Sequence, residues 1–266
     1  MKISRRDFLK LSGAAVLASA FTRISSALAD PPTPAPIISH GSRRHRYVAL
    51  TYDDCNLVTE LHVLEDILSG YPDVRMTLFP IGEKLLTNEA KDPGIWKRFY
   101  SKGHEIGYHS WDHTSFGVMS PTTAIADYDK WQAALVQVMG FLPNIRFARP
   151  PYGILSYSLD VLCRERNLVT AMWSAAGGGE TAVVFKNTFQ KIQNGDIVLF
   201  HTRNTVMENY VSTDMDTTRE AIPYLIGQNM GMVTLSKLYD DLLQEENQSS
   251  GCDISTDESI TRTCFD

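Results

Sequence analysis

From Arg46 onward the chain alternates short apolar runs with longer stretches in which apolar positions recur every three or four residues. "RYVALTY" is followed by "LHVLEDILSG", "RMTLFPIG" by a helix around "IWKRFYSKG", and "HEIGYH" by "TTAIADYDKWQAALVQVMGF". The pattern continues through "IRFARP", a helix around "YSLDVLCRERN", "LVTAMW", a helix around "VVFKNTFQKIQNG", "DIVLFH", "TTREAIPYLIGQNM" and "GMVTLS". Short runs bounded by turn residues read as strands, and the longer periodic stretches as amphipathic helices. Seven strand candidates separated by helices imply a parallel sheet. The expected fold is therefore α/β, a distorted or incomplete (β/α) barrel of about seven parallel strands in a single domain. Gly70, Gly103, Gly140 and Gly195 stand where helices should stop and are expected to cap them in the left-handed conformation.

In such folds the chemistry sits on the loops at the carboxyl ends of the strands. Those ends read Thr51-Tyr52-Asp53-Asp54, His109 with His113, Arg149 through Tyr152, Trp173, and His201. A barrel with no chemical task has little reason to gather carboxylates, imidazoles and a guanidinium at one end of so many strands.

The flanks are of another kind. "SRRDFLK", Ser4 to Lys10, precedes an apolar stretch from Leu11 to Phe21 and a small-residue "ALA" ending at Ala29. Residues 1–29 read as a twin-arginine signal peptide cleaved after Ala29, since the apolar stretch is too short and too rich in Ser and Gly for a membrane span. This implies a periplasmic or secreted protein that meets the twin-arginine translocase and keeps no stable membrane insertion after cleavage. Removing those residues takes away Lys2, Arg5, Arg6, Lys10 and Arg23 against one acid, Asp7, so the formal charge moves from -6 to -10. So acidic a chain is poorly suited to nucleic acid or anionic membrane. "DPPTPAPIISHGS" places a proline-rich linker over residues 30–45, the domain is expected over 46–243, and residues 244–266 form a polar tail. Cys252 and Cys264 in that tail could close a short loop, whereas Cys55 and Cys163 are expected to be free; the chain has no CxxC pair for a cysteine zinc site.

Histidines four apart on a helix project from one face and can reach one ion, so His109 and His113 permit a metal site without requiring it. Asp53 and Asp54 follow an apolar strand, and successive strand side chains point to opposite faces. Both reach the mouth only if the chain bends there; otherwise one is a turn former and the other a surface charge. One carboxylate with two neutral imidazoles, and positions left for water, makes a hydrolytic zinc site or the facial triad of a non-haem iron enzyme. Zinc lowers the pKa of a water to about 7, and an adjacent unbound aspartate can take its proton. "RPPYG" either forms a plain turn or carries Arg149 to a buried carboxylate and fixes a backbone N–H toward a developing oxyanion. His201 is a packed strand-end histidine or the acid that protonates a leaving amine. His104 reads as structural, and His40, His45 and His62 lie outside the strand-end set.

Taken together, these residues resemble the carbohydrate esterase family 4 polysaccharide deacetylases, the NodB-homology domain. The family's TFDD is matched by "TYDD", its H(S/T)xxH by "HSWDH", its RxPYG by "RPPYG" and its LxH by "LFH", and the likeness runs from about Tyr47 to Leu243. The resemblance implies that Asp54, His109 and His113 bind a divalent metal, zinc first, with cobalt or another divalent ion as alternatives. It implies Asp53 as base, Arg149 as its orienting partner, the Tyr152 N–H at the oxyanion, His201 as acid, and Trp173 with Leu199 lining an acetyl pocket. The implied reaction removes an N-acetyl group from an amino-sugar polysaccharide or oligosaccharide and releases acetate.

This chain departs from the pattern twice. Cys55 stands where the family usually has glycine, and "MWSAAGGGE" lacks the aspartate that follows the fourth-motif tryptophan, leaving Glu180 as the nearest carboxylate in sequence. Alternative readings keep the site but act on acetyl esters or small cyclic amides, or keep the fold as a weakly active glycan-binding protein. An iron oxygenase fits less well, because Asp53 beside the ligands favours hydrolysis.

Overall fold

The computed structural model describes residues 32–202 and 213–250. The expected signal peptide, Cys252 and Cys264 lie outside the described residues. Among them the strands are β1 (Ile37–Ile38), β2 (Tyr47–Asp54), β3 (Met76–Pro80), β4 (Glu105–Ile106), β5 (Phe147–Ala148), β6 (Val169–Ala171), β7 (Ala175–Ala176), β8 (Ile197–His201) and β9 (Gly231–Met232). The helices are α1 (Val58–Ser69), α2 (Gly82–Lys91), α3 (Ile95–Ser101), α4 (Pro121–Met139), α5 (Tyr157–Arg166), α6 (Thr181–Asn187), α7 (Thr213–Gly227) and α8 (Leu235–Ser250).

Every strand ladder is parallel. One sheet runs β4-β3-β2-β8-β7, with β9 paired to the start of β2, and the other runs β1-β6-β5. Among the described residues two isolated bridges lie outside these ladders, Tyr108 to Ala148 parallel and His40 to Asp196 antiparallel. The barrel is thus open rather than continuously hydrogen-bonded. All seven expected strands are present, and helices cover them as the alternation predicts.

Along β2, residues alternate between two cores. Ala49 faces inward with Phe79, Phe147, Ala171 and Ile197, while Val48, Leu50 and Tyr52 pack outward with the helices. This alternation sends Thr51 and Asp53 into the barrel above its apolar plug.

Four expectations change. The proline-rich stretch read as a linker belongs to the folded unit, which begins at Pro34 rather than Arg46. Ile37 and Ile38 pair with Thr170 and Ala171, and Ala35 and Ile38 are buried. A strand of two residues leaves no alternation to read, and its partner sheet supplies the reason for it. The second unforeseen strand is β7: two alanines of low strand propensity are drawn into pairing by Val198 and Leu199 of β8. At the other end, α8 runs on through the first residues of the expected tail to Ser250. Gly70 caps α1 at φ -80°, not left-handed. Gly103, Gly140 and Gly195 do adopt positive φ. Gly195 has a second reason to be glycine: a Cβ there would lie 2.4 Å from the Ser42 carbonyl oxygen.

Candidate metal centre and active site

Three loops build the centre, and the backbone is strained where they meet. Among the described residues seven non-glycine residues have positive φ, and five of them, Asp54, Cys55, Ser110, His113 and Tyr152, belong to these loops. Each such residue costs of order 1–3 kcal/mol, and such conformations cluster at functional sites. The other two, Asn167 and Asn229, are of the residue type that tolerates this region best.

At the end of β2, Asp54 turns to φ 68° and Cys55 to φ 52°. Without that bend Asp54 would point at the helices; with it, both aspartates reach the mouth. The histidine segment is a loop and not a helix, so the four-residue spacing works for a different reason from the one a helical turn would give. Left-handed Ser110 and His113 fold the loop so that both rings converge, with ring centroids 5.1 Å apart. Asp127 on α4 pins it, accepting hydrogen bonds from the Tyr108 hydroxyl and from the Trp111 N–H.

Asp54 Oδ1 lies 3.4 Å from His109 Nε2 and 3.4 Å from His113 Nε2. It is buried and makes no hydrogen bond, while Oδ2 accepts from Asn56 Nδ2 at 3.3 Å. His109 Nδ1 donates to the Arg149 carbonyl at 2.7 Å, which leaves the lone pair of Nε2 facing Asp54. Two ligand atoms held about 2.1 Å from one tetrahedral ion stand about 3.4 Å apart, so this spacing suits a shared cation better than a direct hydrogen bond. The donor set of one carboxylate and two imidazoles therefore fits a divalent metal ion.

Without an ion these groups perturb one another. Burial alone would raise the Asp54 carboxyl, but the imidazoles of His109, His113 and His201 outweigh it and hold the group below its usual range. Burial likewise works against a charged His109, yet Asp53 and Asp54 beside it raise its pKa; His113 is lowered by burial and by His109.

Asp53 is buried beside the centre, its Oδ2 3.8 Å from His109 Nε2. Its Oδ1 accepts from Arg149 Nη1 at 2.8 Å. Arg149, fully buried, also donates to Thr51 Oγ1 and to the Ala171 and Met172 carbonyls, and lies 4.3 Å over the Phe79 ring. A guanidinium so held has one orientation, and Asp53 inherits it.

Tyr152 sits at φ 60° with its ring edge-on to His113, 4.6 Å between centroids. The turn bonds are made by Gly153 and Ile154, donating to the Pro150 and Pro151 carbonyls, and do not use the Tyr152 N–H. Trp173 backs this turn: a Cβ on Gly153 would lie 2.7 Å from its ring. Leu199 is buried on β8, and His201, exposed at the strand end, is near enough for its charge to act on Asp54 and His113.

Residues 40–168 match the polysaccharide deacetylase family, and residues 2–22 match the twin-arginine translocation pathway signal sequence. Over residues 40–168 the folded domain is similar to the polysaccharide deacetylase family. The chain carries a twin-arginine export signal, and among the described residues no helix is long and apolar enough to cross a membrane. It is 28% identical over 207 residues to the peptidoglycan-N-acetylglucosamine deacetylase PgdA of Listeria monocytogenes, covering 76% of this chain and 41% of that one. This chain thus spans less than half the length of that relative.

Two solved structures share its fold. A peptidoglycan N-acetylglucosamine deacetylase bound to an N-hydroxybenzamide matches with TM-score 0.66 and 25% identity, over 77% of this chain and 92% of that one. A carbohydrate esterase family 4 pseudoenzyme from Bacillus anthracis also matches with TM-score 0.66, at 21% identity over 79% and 70% of the two chains.

Three residues beside the centre, Asn56, Thr202 and Asp214, escaped the sequence pattern. Asn56 holds Asp54 Oδ2 and is itself fixed by Thr202, whose hydroxyl accepts the Asn56 N–H at 2.7 Å. Asp214, buried on α7, accepts the His201 N–H at 2.7 Å. Glu180, the nearest carboxylate to the fourth motif in sequence, is exposed at the head of α6. Only the polar run "DDCN" offered a signal for Asn56, and nothing local marks Asp214.

Proposed function

We propose that this protein is an exported, zinc-dependent deacetylase that hydrolyses the N-acetyl group of amino sugars in a cell-wall glycan such as peptidoglycan. The observation that carries this reading is the buried, unbonded Asp54 Oδ1 standing 3.4 Å from both His109 Nε2 and His113 Nε2. Two nitrogen donors and one oxygen, with room left for water, is a donor set of hydrolytic zinc sites. When bound there, the ion supplies Lewis-acid activation of a water and of the substrate carbonyl.

The chain's own residues do the rest. Asp53 takes the proton of the attacking water, with Arg149 holding its carboxylate toward the centre. The Tyr152 N–H donates to the oxygen on which negative charge develops. His201 delivers a proton to the departing nitrogen as the C–N bond breaks, leaving acetate and a free amine. Trp173 and Leu199 enclose the acetyl methyl. The relatives that carry peptidoglycan deacetylase names support the choice of polymer.

Metal analysis of the mature domain, paired with acetate release from N-acetylglucosamine oligomers before and after chelation, tests the reading. Undiminished activity in fully metal-free protein would sink it. One observation favours a second reading: Ser174, Ala175 and Ala176 occupy the place of the fourth-motif aspartate. On that reading the domain binds glycan with little turnover, and Asp53→Asn leaves its glycan affinity unchanged while wild-type acetate release stays near background.

A further inference from the structure

Where the chain enters β3 and β4, at the end of the barrel away from the metal centre, an open cavity of about 310 Å3 is lined by Arg75, Lys102 and His104 with Leu68, Tyr71 and Ser101. Arg75 immediately precedes β3, whose last residue, Pro80, pairs with Asp54, so about 16 Å of strand separates the cavity from the ligand set. Its charge sets it apart. No Asp or Glu lines it, although the chain carries 31 acids against 25 Lys and Arg. Three other grooves each hold a carboxylate, Asp160, Asp73 and Asp196 respectively.

The donors in this cavity lack an anion. Arg75 is half-buried and enters no ion pair among the described residues; its Nη1 donates to the Pro72 and Val74 carbonyls. Gly103, at φ 85°, leaves room for the guanidinium, since a Cβ there would lie 2.7 Å from Arg75 Nε. His104 is only 4% exposed, and its Nδ1 accepts the Met76 N–H at 3.2 Å. Burial, with Arg75 and Lys102 beside it, keeps the ring neutral. Its proton therefore sits on Nε2, and with the Nδ1 edge turned to β3, Nε2 is the edge left for the cavity. That N–H has no acceptor among the described residues, and a buried donor left so costs free energy.

Lys102 Nζ donates to Glu65 Oε1 at 3.1 Å, but that carboxylate is also held by Arg98 through Nε and Nη2. The carbonyls at the end of α1 do not fill the need either, because those of Ile67 and Leu68 accept the Gly70 and Tyr71 N–H groups. A guanidinium, an ammonium and an imidazole N–H from separate segments make charge-assisted hydrogen bonds to an oxyanion. Donors arriving from three directions suit the tetrahedral oxygens of phosphate better than a planar carboxylate.

We propose that this cavity is a second ligand site, binding a phosphate ion or the phosphate group of a monoester through Arg75, Lys102 and the His104 Nε2–H. The site stands apart from the metal centre and does not depend on the deacetylase reading.

The test titrates the mature protein with inorganic phosphate, glycerol 3-phosphate and acetate near neutral pH, at about 0.15 M salt so that loose surface pairing is screened. Histidine ring resonances are followed by NMR, that of His104 being the one lost in His104→Gln. The expected result is a saturable shift of the His104 ring by either phosphate compound, with Kd about 1 mM, and binding roughly tenfold weaker in Lys102→Met. Lys102 is exposed, so its replacement leaves the fold intact. Tighter binding of glycerol 3-phosphate supports a phosphate carried on a larger molecule, and equal binding supports the free ion. A His104 ring that does not move, or a titration indifferent to Lys102→Met, would overturn the proposal. So would shifts confined to His109 and His113, which would put the anion at the metal centre, or acetate binding as tightly as phosphate.

Discussion

Replacing Arg149 by methionine isolates what the buried guanidinium does for the site. Methionine fills much of the arginine stem, so packing is largely kept and the charge is what goes. In the wild type Asp53 Oδ1 accepts from Arg149 at 2.8 Å and both groups are buried. Removing one partner of such a pair leaves a buried, unpaired carboxylate and costs about 3–5 kcal/mol. For a domain of this size that corresponds to a fall in Tm of about 6–20 °C. Adding Asp53→Asn to Arg149→Met removes the orphaned charge, so the double variant should regain at least about 1 kcal/mol over Arg149→Met alone. Urea unfolding followed by circular dichroism, with chelator present in all samples so that metal affinity does not enter, gives the full cycle. A loss below about 1 kcal/mol in Arg149→Met, or a double variant no more stable than the sum of the singles, would refute the coupling between these residues.

The remaining predictions concern metal and proton. Zinc at about a hundred times its Kd should stabilise the mature domain by about 2.7 kcal/mol, and His113→Ala should abolish the shift in thermal unfolding; an undiminished shift would remove His113 from the ligand set. Asn56→Ala frees Asp54 Oδ2 and should weaken zinc binding about 10–100-fold in a chelator competition, with unchanged affinity counting against a positioning role. Burial, with Arg75 and Lys102 nearby, pushes the His104 imidazole down to about 4, and its Nδ1 accepts the Met76 N–H. A histidine lowered from about 6.5 binds its proton more readily in the unfolded chain, so its share of stability is complete above about pH 6.5 and lost toward pH 4. From pH 7 to pH 5 that share falls by about 2 kcal/mol, and His104→Gln should show a pH dependence flatter by that amount; superimposable curves for the two proteins would contradict it.

Much of the fold was legible because alternating periods of two and 3.6 leave a trace in residue type, and the seven longer or better-bounded strands carry it. The two missed strands, Ile37–Ile38 and Ala175–Ala176, are no shorter than three that were read, but they lie in a proline-rich and a glycine-rich stretch without an apolar run to mark them, and they exist because a neighbouring edge pairs with them. The histidine loop shows the same limit. A spacing of four suggested a helical turn, whereas the rings meet through positive φ at Ser110 and His113, which no side-chain pattern announces.

The order of motifs along the chain, the acidic balance and the export signal are properties of residue identity, and they required no coordinates. The convergence of Asp54, His109 and His113, the four hydrogen bonds of the Arg149 guanidinium, the hold of Thr202 on Asn56 and that of Asp214 on His201 depend on contacts between segments apart in sequence. Local preference acts over a few neighbours, whereas a buried charge or a bent strand end is set by whichever partner the packed chain brings beside it.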